Sequence, residues 1–183
     1  MIYLLIIFIA MLSIAGVNAA LGAELLPALG ITAILTAAVI AIDGILALLI
    51  RRLPSGWFSY DRRFFSPGRR ELRLYRALGV KHLFRIVPDL GCFTNFPKKT
   101  LSDPGNPTYT ERYLLEAAYG IVIHIVNMLD GFLILLIMPT YAVSIALPVA
   151  LVNLVLSLLP VLLLRLNFSR LVRLHRRNLR KNT

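Results

Sequence analysis

Apolar and polar positions segregate along this chain over tens of residues rather than over single helical turns. Ile2 to Ala20 carries no charge. After a short break, Leu21-Gly22-Ala23-Glu24, a second apolar run extends from Leu25 to Ile50 and is interrupted by Asp43. A third runs from Leu114 to Met138 and contains Glu116, His124, Asn127 and Asp130. The fourth covers Tyr141 to Leu164, with Pro148 and Pro160 inside it. Each is near or above the roughly 20 residues a helix needs to cross about 30 Å of hydrocarbon. The pattern predicts an all-α integral membrane protein: four transmembrane helices with a basic cytoplasmic segment containing short interfacial helices. Its expected organisation is an N-terminal transmembrane hairpin over 1–50 (helices 2–20 and 25–50), an interfacial segment over 51–113, a C-terminal hairpin over 114–164 (helices 109–138 and 141–164) and a basic amphipathic tail over 165–183. Val17-Asn18-Ala19 has the form of a signal-peptidase site, but no basic segment precedes the run, so a retained anchor is expected.

Between the two hairpins the signals are shorter. Ser66-Pro67 reads as N-cap and first helical position, and Gly79 as the stop. Within that stretch Arg69, Arg70, Arg73 and Arg76 alternate with Leu72, Leu74, Tyr75 and Leu78, and Trp57, Phe58, Phe64 and Phe65 lie upstream. This predicts a basic amphipathic helix resting on headgroups, which is also suited to walling in an anionic substrate. Turn chemistry at 87–91 and 103–107 brackets an irregular loop with Phe93, Thr94, Asn95, Phe96, Lys98 and Lys99. Thr108 to Glu111 fits a capping box, so the third helix is expected to start before the membrane.

Composition agrees with this reading. Of 183 residues, 58% are hydrophobic and 16% charged, against about 45–50% and about 25% in a typical globular chain. The net charge is +11, yet every Lys and Arg falls between Arg51 and Arg112 (thirteen) or from Arg165 onward (seven). Neither short connection between paired spans holds one. The positive-inside rule then places both termini and the 51–113 segment in the cytoplasm of a multi-pass protein of the cell (inner or plasma) membrane. The charge is apart from the apolar runs, so the expected partners are membrane lipids, anionic headgroups and acidic substrates, not nucleic acid. The sequon at Asn167 would face the wrong compartment, and lone Cys92 leaves the redox compartment unreadable.

The third span carries the candidate chemistry. At about 100° per residue, Glu116, Gly120, His124, Asn127, Asp130 and Gly131 fall in a sector of roughly 120°. Ionisable groups at membrane depth are costly and usually mark function. His124 lies about 12 Å beyond Glu116 along the axis and Asp130 about 21 Å. Asp43 is expected about 10 Å deep, near the level of His124 and able to pair with it. One reading makes His124 a general base, oriented by Asp43 or Glu116; the other makes the stripe interhelical glue. His82 and His175 sit among arginines and are expected at the surface. No common nucleophile, nucleotide or metal motif occurs, and three scattered histidines make no metal site.

The succession Phe64-Phe65, Glu71, Leu74-Tyr75-Arg76-Ala77-Leu78-Gly79-Val80-Lys81, Pro88-Asp89, Glu111-Arg112, Glu116 and His124 resembles the glycosyl-4,4'-diaponeurosporenoate acyltransferase family. So does the closing Asn167-Phe-Ser-Arg170-Leu-Val-Arg173-Leu. The resemblance covers roughly residues 57 to 177, and the N-terminal hairpin exceeds what the pigment enzyme of that family shows. It implies carotenoid biosynthesis: a membrane acyltransferase esterifying a hydroxyl of a lipid-like, glycosylated isoprenoid acceptor at the cytoplasmic leaflet. Taken with the stripe, it makes His124 the base and Glu116 the residue that orients it or fixes its tautomer; Asp43, outside the resemblance, is the other candidate catalytic residue. Asn127, Asp130, Tyr119, Arg112, Arg73, Arg76 and Lys81 would bind substrate. No tightly bound cofactor is implied, the acyl donor (such as acyl-CoA) being a co-substrate, and homo-oligomerisation stays open. A non-enzymatic lipid-binding or assembly subunit and a small membrane methyltransferase are the alternatives.

Overall fold

The computed structural model describes residues 2–85, 87, 96 and 101–181. The turn over 88–91, Cys92 and the loop residues Phe93, Thr94, Asn95, Lys98 and Lys99 lie outside the described residues. Among the described residues all regular structure is helical, and four helical stretches are long and apolar enough to cross a membrane: Ile2–Ala20, Leu25–Arg51, Pro107–Ile137 and Pro139–Lys181. Their outward surfaces are apolar as well, with Leu4, Leu26, Leu136 and Val143 70%, 79%, 80% and 79% exposed. Such surfaces suit lipid and would aggregate in water. The chain is a multi-pass membrane protein, folded as two compact units.

The first unit comprises Met1–Arg51 and Ile123–Leu158. Here α1 (Ile2–Ala20) packs on α2 (Leu25–Arg51). Their connection closes as a double turn, Ala23 N–H to the Asn18 carbonyl and Gly22 N–H to the Ala19 carbonyl, both 3.0 Å. The turn puts Gly22 at a φ of +98°, a conformation costly for any residue with a Cβ. Two polar residues of α1 are tied to the fourth span: Tyr3 donates to the Leu156 carbonyl at 3.1 Å and Asn18 to that of Ser144 at 2.9 Å. Leu35, Val39, Ile134, Ile145, Ala146, Val149 and Ala150 form the apolar core.

The third span is not a single regular helix. α4 (Pro107–Asp130) tightens to a 3-10 turn over Gly131–Leu133 before α5 (Ile134–Ile137). A Cβ on Gly131 would stand 2.9 Å from Asn153 Nδ2, so this turn sits where the Asn153 side chain enters. Met138, at φ −133°, leaves helical geometry, and Pro139 starts the next turn without an N–H to continue the old one. A π-turn over Ala142–Ala146 then leads into α6 (Leu147–Lys181).

The second unit comprises Arg52–Val122 and Leu159–Thr183. Its short helix α3 (Arg69–Ala77) begins two residues later than Ser66-Pro67 suggested. The Glu71 carboxylate accepts the Gly68 N–H at 3.3 Å and closes the helix end there. Gly79, at φ +63°, stops it as expected. α4 also begins differently: Asn106, not Thr108, is the cap. Asn106 Oδ1 accepts the N–H groups of Thr108 at 2.9 Å and Tyr109 at 3.3 Å, and Pro107 occupies the first helical position, where no N–H is needed.

α6 carries the fourth span into the basic tail without a break. In the tail Phe168, Val172, His175 and Asn178 are buried while Arg170, Arg173, Arg176, Arg177 and Arg180 are exposed. The buried stripe meets protein: Asn178 donates to the Pro104 carbonyl at 2.8 Å. His175, expected at the surface, is 2% exposed, bonded through Nδ1 to Thr110 Oγ1 at 2.9 Å and edge-on to Tyr60 at 4.9 Å. Its spacing from Phe168 and Val172 puts it on the inward stripe, and that placement outweighs the arginines adjacent in sequence.

Candidate functional site

The polar stripe on α4 divides between the units. His124, Asn127, Asp130 and Gly131 belong to the first, and Glu116, Tyr119 and Gly120 to the second. In the first unit Asn127 and Asp130 are buried and His124 is half-buried. α2 brings Asp43 to them, its carboxyl group facing Asp130 and reached by the Asn127 side chain. α6 adds Asn153, a residue sequence reasoning missed. Its Nδ2 donates to the Asn127 carbonyl at 2.8 Å and to Asp43 Oδ1 at 3.4 Å. The available signal was a lone amide inside a long apolar run, which is costly there unless it is bonded.

Asp43 therefore meets Asp130, Asn127 and Asn153. The two glycines of the stripe serve close helix packing. Gly131 admits Asn153, and a Cβ on Gly120 would stand 2.9 Å from Leu164 Cδ1. His124 lies on the same helix, one turn before Asn127.

In the second unit Glu116 is half-buried on α4. Tyr119 is 8% exposed, its ring 4.0 Å from Phe58 and its hydroxyl donating to the Leu53 carbonyl at 3.1 Å. Arg112 is exposed, with its guanidinium 4.9 Å from the Phe96 ring centre. Arg73, Arg76 and Lys81 are exposed and accessible to an anionic group. An open pocket of about 410 Å³ is lined by Leu53, Trp57, Phe58, Arg62, Phe64, Phe65 and Val122.

The inward side of α3 is held by an ion pair that the sequence did not single out. Arg165 of α6 grips Glu71 with Nε at 2.7 Å from Oε1 and Nη2 at 2.9 Å from Oε2. Tyr75 also donates to Glu71, and Arg165 to the Phe64 carbonyl. The guanidinium holds the Glu71 carboxyl below the usual glutamate range. Burial, then the hydrogen bond to Glu71, pushes the Tyr75 phenol up to about 12. Around this pair Tyr75, Val80 and Leu166 form a core, and Phe65 packs on Phe168 at 5.6 Å. Phe65, Glu71, Tyr75, Val80 and Phe168 are residues that carried the family resemblance, and here they join α3 to α6.

Among the described residues no three His, Cys, Asp or Glu side chains gather as metal ligands. No curated protein and no solved structure matches the chain. The family model for glycosyl-4,4'-diaponeurosporenoate acyltransferase matches residues 54–177, which takes in α3, α4, α5 and most of α6. With about two thirds of its length matched, this membrane-embedded chain belongs to the glycosyl-4,4'-diaponeurosporenoate acyltransferase family.

Proposed function

We propose that the protein esterifies a sugar hydroxyl of a glycosylated isoprenoid acceptor with a fatty acyl group at the cytoplasmic leaflet, using His124 as general base. The observation that carries this reading is an imidazole within a helical stretch long and apolar enough to cross a membrane, inside the residues that match an acyltransferase family. An ionisable side chain is expensive at that depth, and imidazole titrates where a base is useful. With a thioester donor the step balances without an added redox partner. His124 takes the acceptor O–H proton, the oxygen attacks the thioester carbonyl carbon, the C–S bond breaks, and the departing thiolate takes the proton back. Such a donor carries phosphates, and Arg73, Arg76 and Lys81 are exposed to meet them. The segregation of every Lys and Arg to two stretches supports a cytoplasmic site and cytoplasmic termini.

His124→Gln tests this. General-base removal is worth about 100-fold to 10,000-fold, so ester formation in membranes supplied with acyl donor and glycosylated carotenoid should fall by at least about 100-fold. The melting curve should stay close to that of the parent. Unchanged product from an intact fold would refute the role of His124 and favour a lipid-binding or assembly subunit.

A further inference from the structure

The cluster in the first unit has acceptors in excess. Asn127 and Asp130 are each 6% exposed, and neither Asn127 Oδ1 nor either Asp130 carboxylate oxygen has a hydrogen-bond partner. The Gly131 N–H lies beside Asp130 without closing a bond. Asp43 faces Asp130 across the helix contact. The amide donors present serve other acceptors than Asp130: Asn153 Nδ2 bonds the Asn127 carbonyl at 2.8 Å and reaches Asp43 Oδ1 at 3.4 Å, and the Asn127 side chain also reaches Asp43.

Charge points the same way. In this unit the Lys and Arg content is Arg51, eight residues and about 12 Å along α2 from Asp43. The ionisable group from α4 is His124, six residues before Asp130; α1 contributes Tyr3, which donates to Leu156, and α6 contributes the neutral Asn153. Two facing carboxyl groups in apolar spans, the Asp130 oxygens buried and Asp43 half-buried, with no Lys or Arg side chain between them among the described residues, lack one positive charge.

We infer that Asp43, Asp130 and Asn127 form a binding site for one small monovalent cation, with Asn153 fixing its geometry. The shared chemistry is a single positive charge on hard oxygen acceptors, and either a proton bridging the carboxyl groups or an ion of the sodium class supplies it. Asp43 lies outside the family-matched residues 54–177, whereas Asn127, Asp130 and Asn153 lie within them. The N-terminal hairpin thus completes the site. The inference does not depend on acyl transfer or on His124.

The test is thermal unfolding of the full chain in detergent, followed by circular dichroism. Sodium, potassium and choline chlorides are compared at equal ionic strength, between about pH 5 and 8. The melting temperature should rise by about 3–6 °C per tenfold increase in sodium or in proton concentration. Asp130→Asn and Asp43→Asn, which remove a charge at nearly constant volume, should each flatten that rise. Dicyclohexylcarbodiimide, which modifies protonated carboxyl groups, distinguishes the two sources. Labelling of either aspartate, read by peptide mass spectrometry, assigns the proton, and labelling suppressed by sodium assigns the metal ion. A parent melting temperature indifferent to both cations, or a dependence surviving unchanged in both variants, overturns the site. Should neither variant fold, absence of label under every condition does the same.

Discussion

Breaking the Glu71–Arg165 pair from one side should cost more than removing it whole. Arg165 and Glu71 side chains are 16% and 29% exposed, and the contact is bidentate. Stranding one member of a fully buried pair costs about 3–5 kcal/mol; this residual exposure brings the expected cost of Arg165→Gln to about 2–3 kcal/mol. At roughly 2–4 °C per kcal/mol for a chain of this size, the melting temperature should fall by about 5–10 °C. Glu71→Gln should cost less, since an amide still accepts from Arg165. The double variant should be less destabilised than the sum by about 1–2 kcal/mol. The assay is a double-mutant cycle of melting curves in one detergent, repeated down the acid range. Arg165 lowers the folded-state value of Glu71, so the stabilisation is fully present above the ordinary glutamate range, near about 4.3, and is lost as pH falls through the lowered value. The gap between parent and Glu71→Gln should therefore hold from neutrality to about pH 5 and close below it. Additive single costs, or a gap that persists in strong acid, would show that packing of Tyr75, Val80 and Leu166 alone holds α3 to α6.

Two further substitutions probe helix contacts. Gly131→Ala places a methyl 2.9 Å from Asn153 Nδ2 and 3.4 Å from its Cβ, so a loss of about 1–3 kcal/mol is expected in thermal melts, largely relieved in the Asn153→Ala background. Thr110→Val removes the partner of His175, which is 2% exposed, and should cost about 1–3 kcal/mol; a melting temperature equal to the parent's would mean that His175 finds another partner.

Apolar length made the four spans legible, because a run of about 20 uncharged residues has few other homes. The helix stop at Gly79 was equally local. Local chemistry misled where two candidate caps competed. Thr108 and Glu111 matched a known pattern, but Asn106 precedes Pro107, whose ring already fixes the first helical residue. Sequence neighbours misled at His175: the flanking arginines share its stretch of chain but not its face of α6.

What the sequence determined by itself was the kind of molecule. Hydropathy, charge placement and the α4 stripe are properties of single helices, each set within a few turns of chain. The tertiary structure decided which polar groups meet: Asp43 with Asp130 and Asn153, Glu71 with Arg165, Thr110 with His175. Periodicity gives the direction a side chain takes from its own helix axis. It carries nothing about the rotation or depth of the neighbouring helix, and in a bilayer, where apolar faces are nearly interchangeable, close packing at glycines and satisfaction of a few buried polar atoms set that choice.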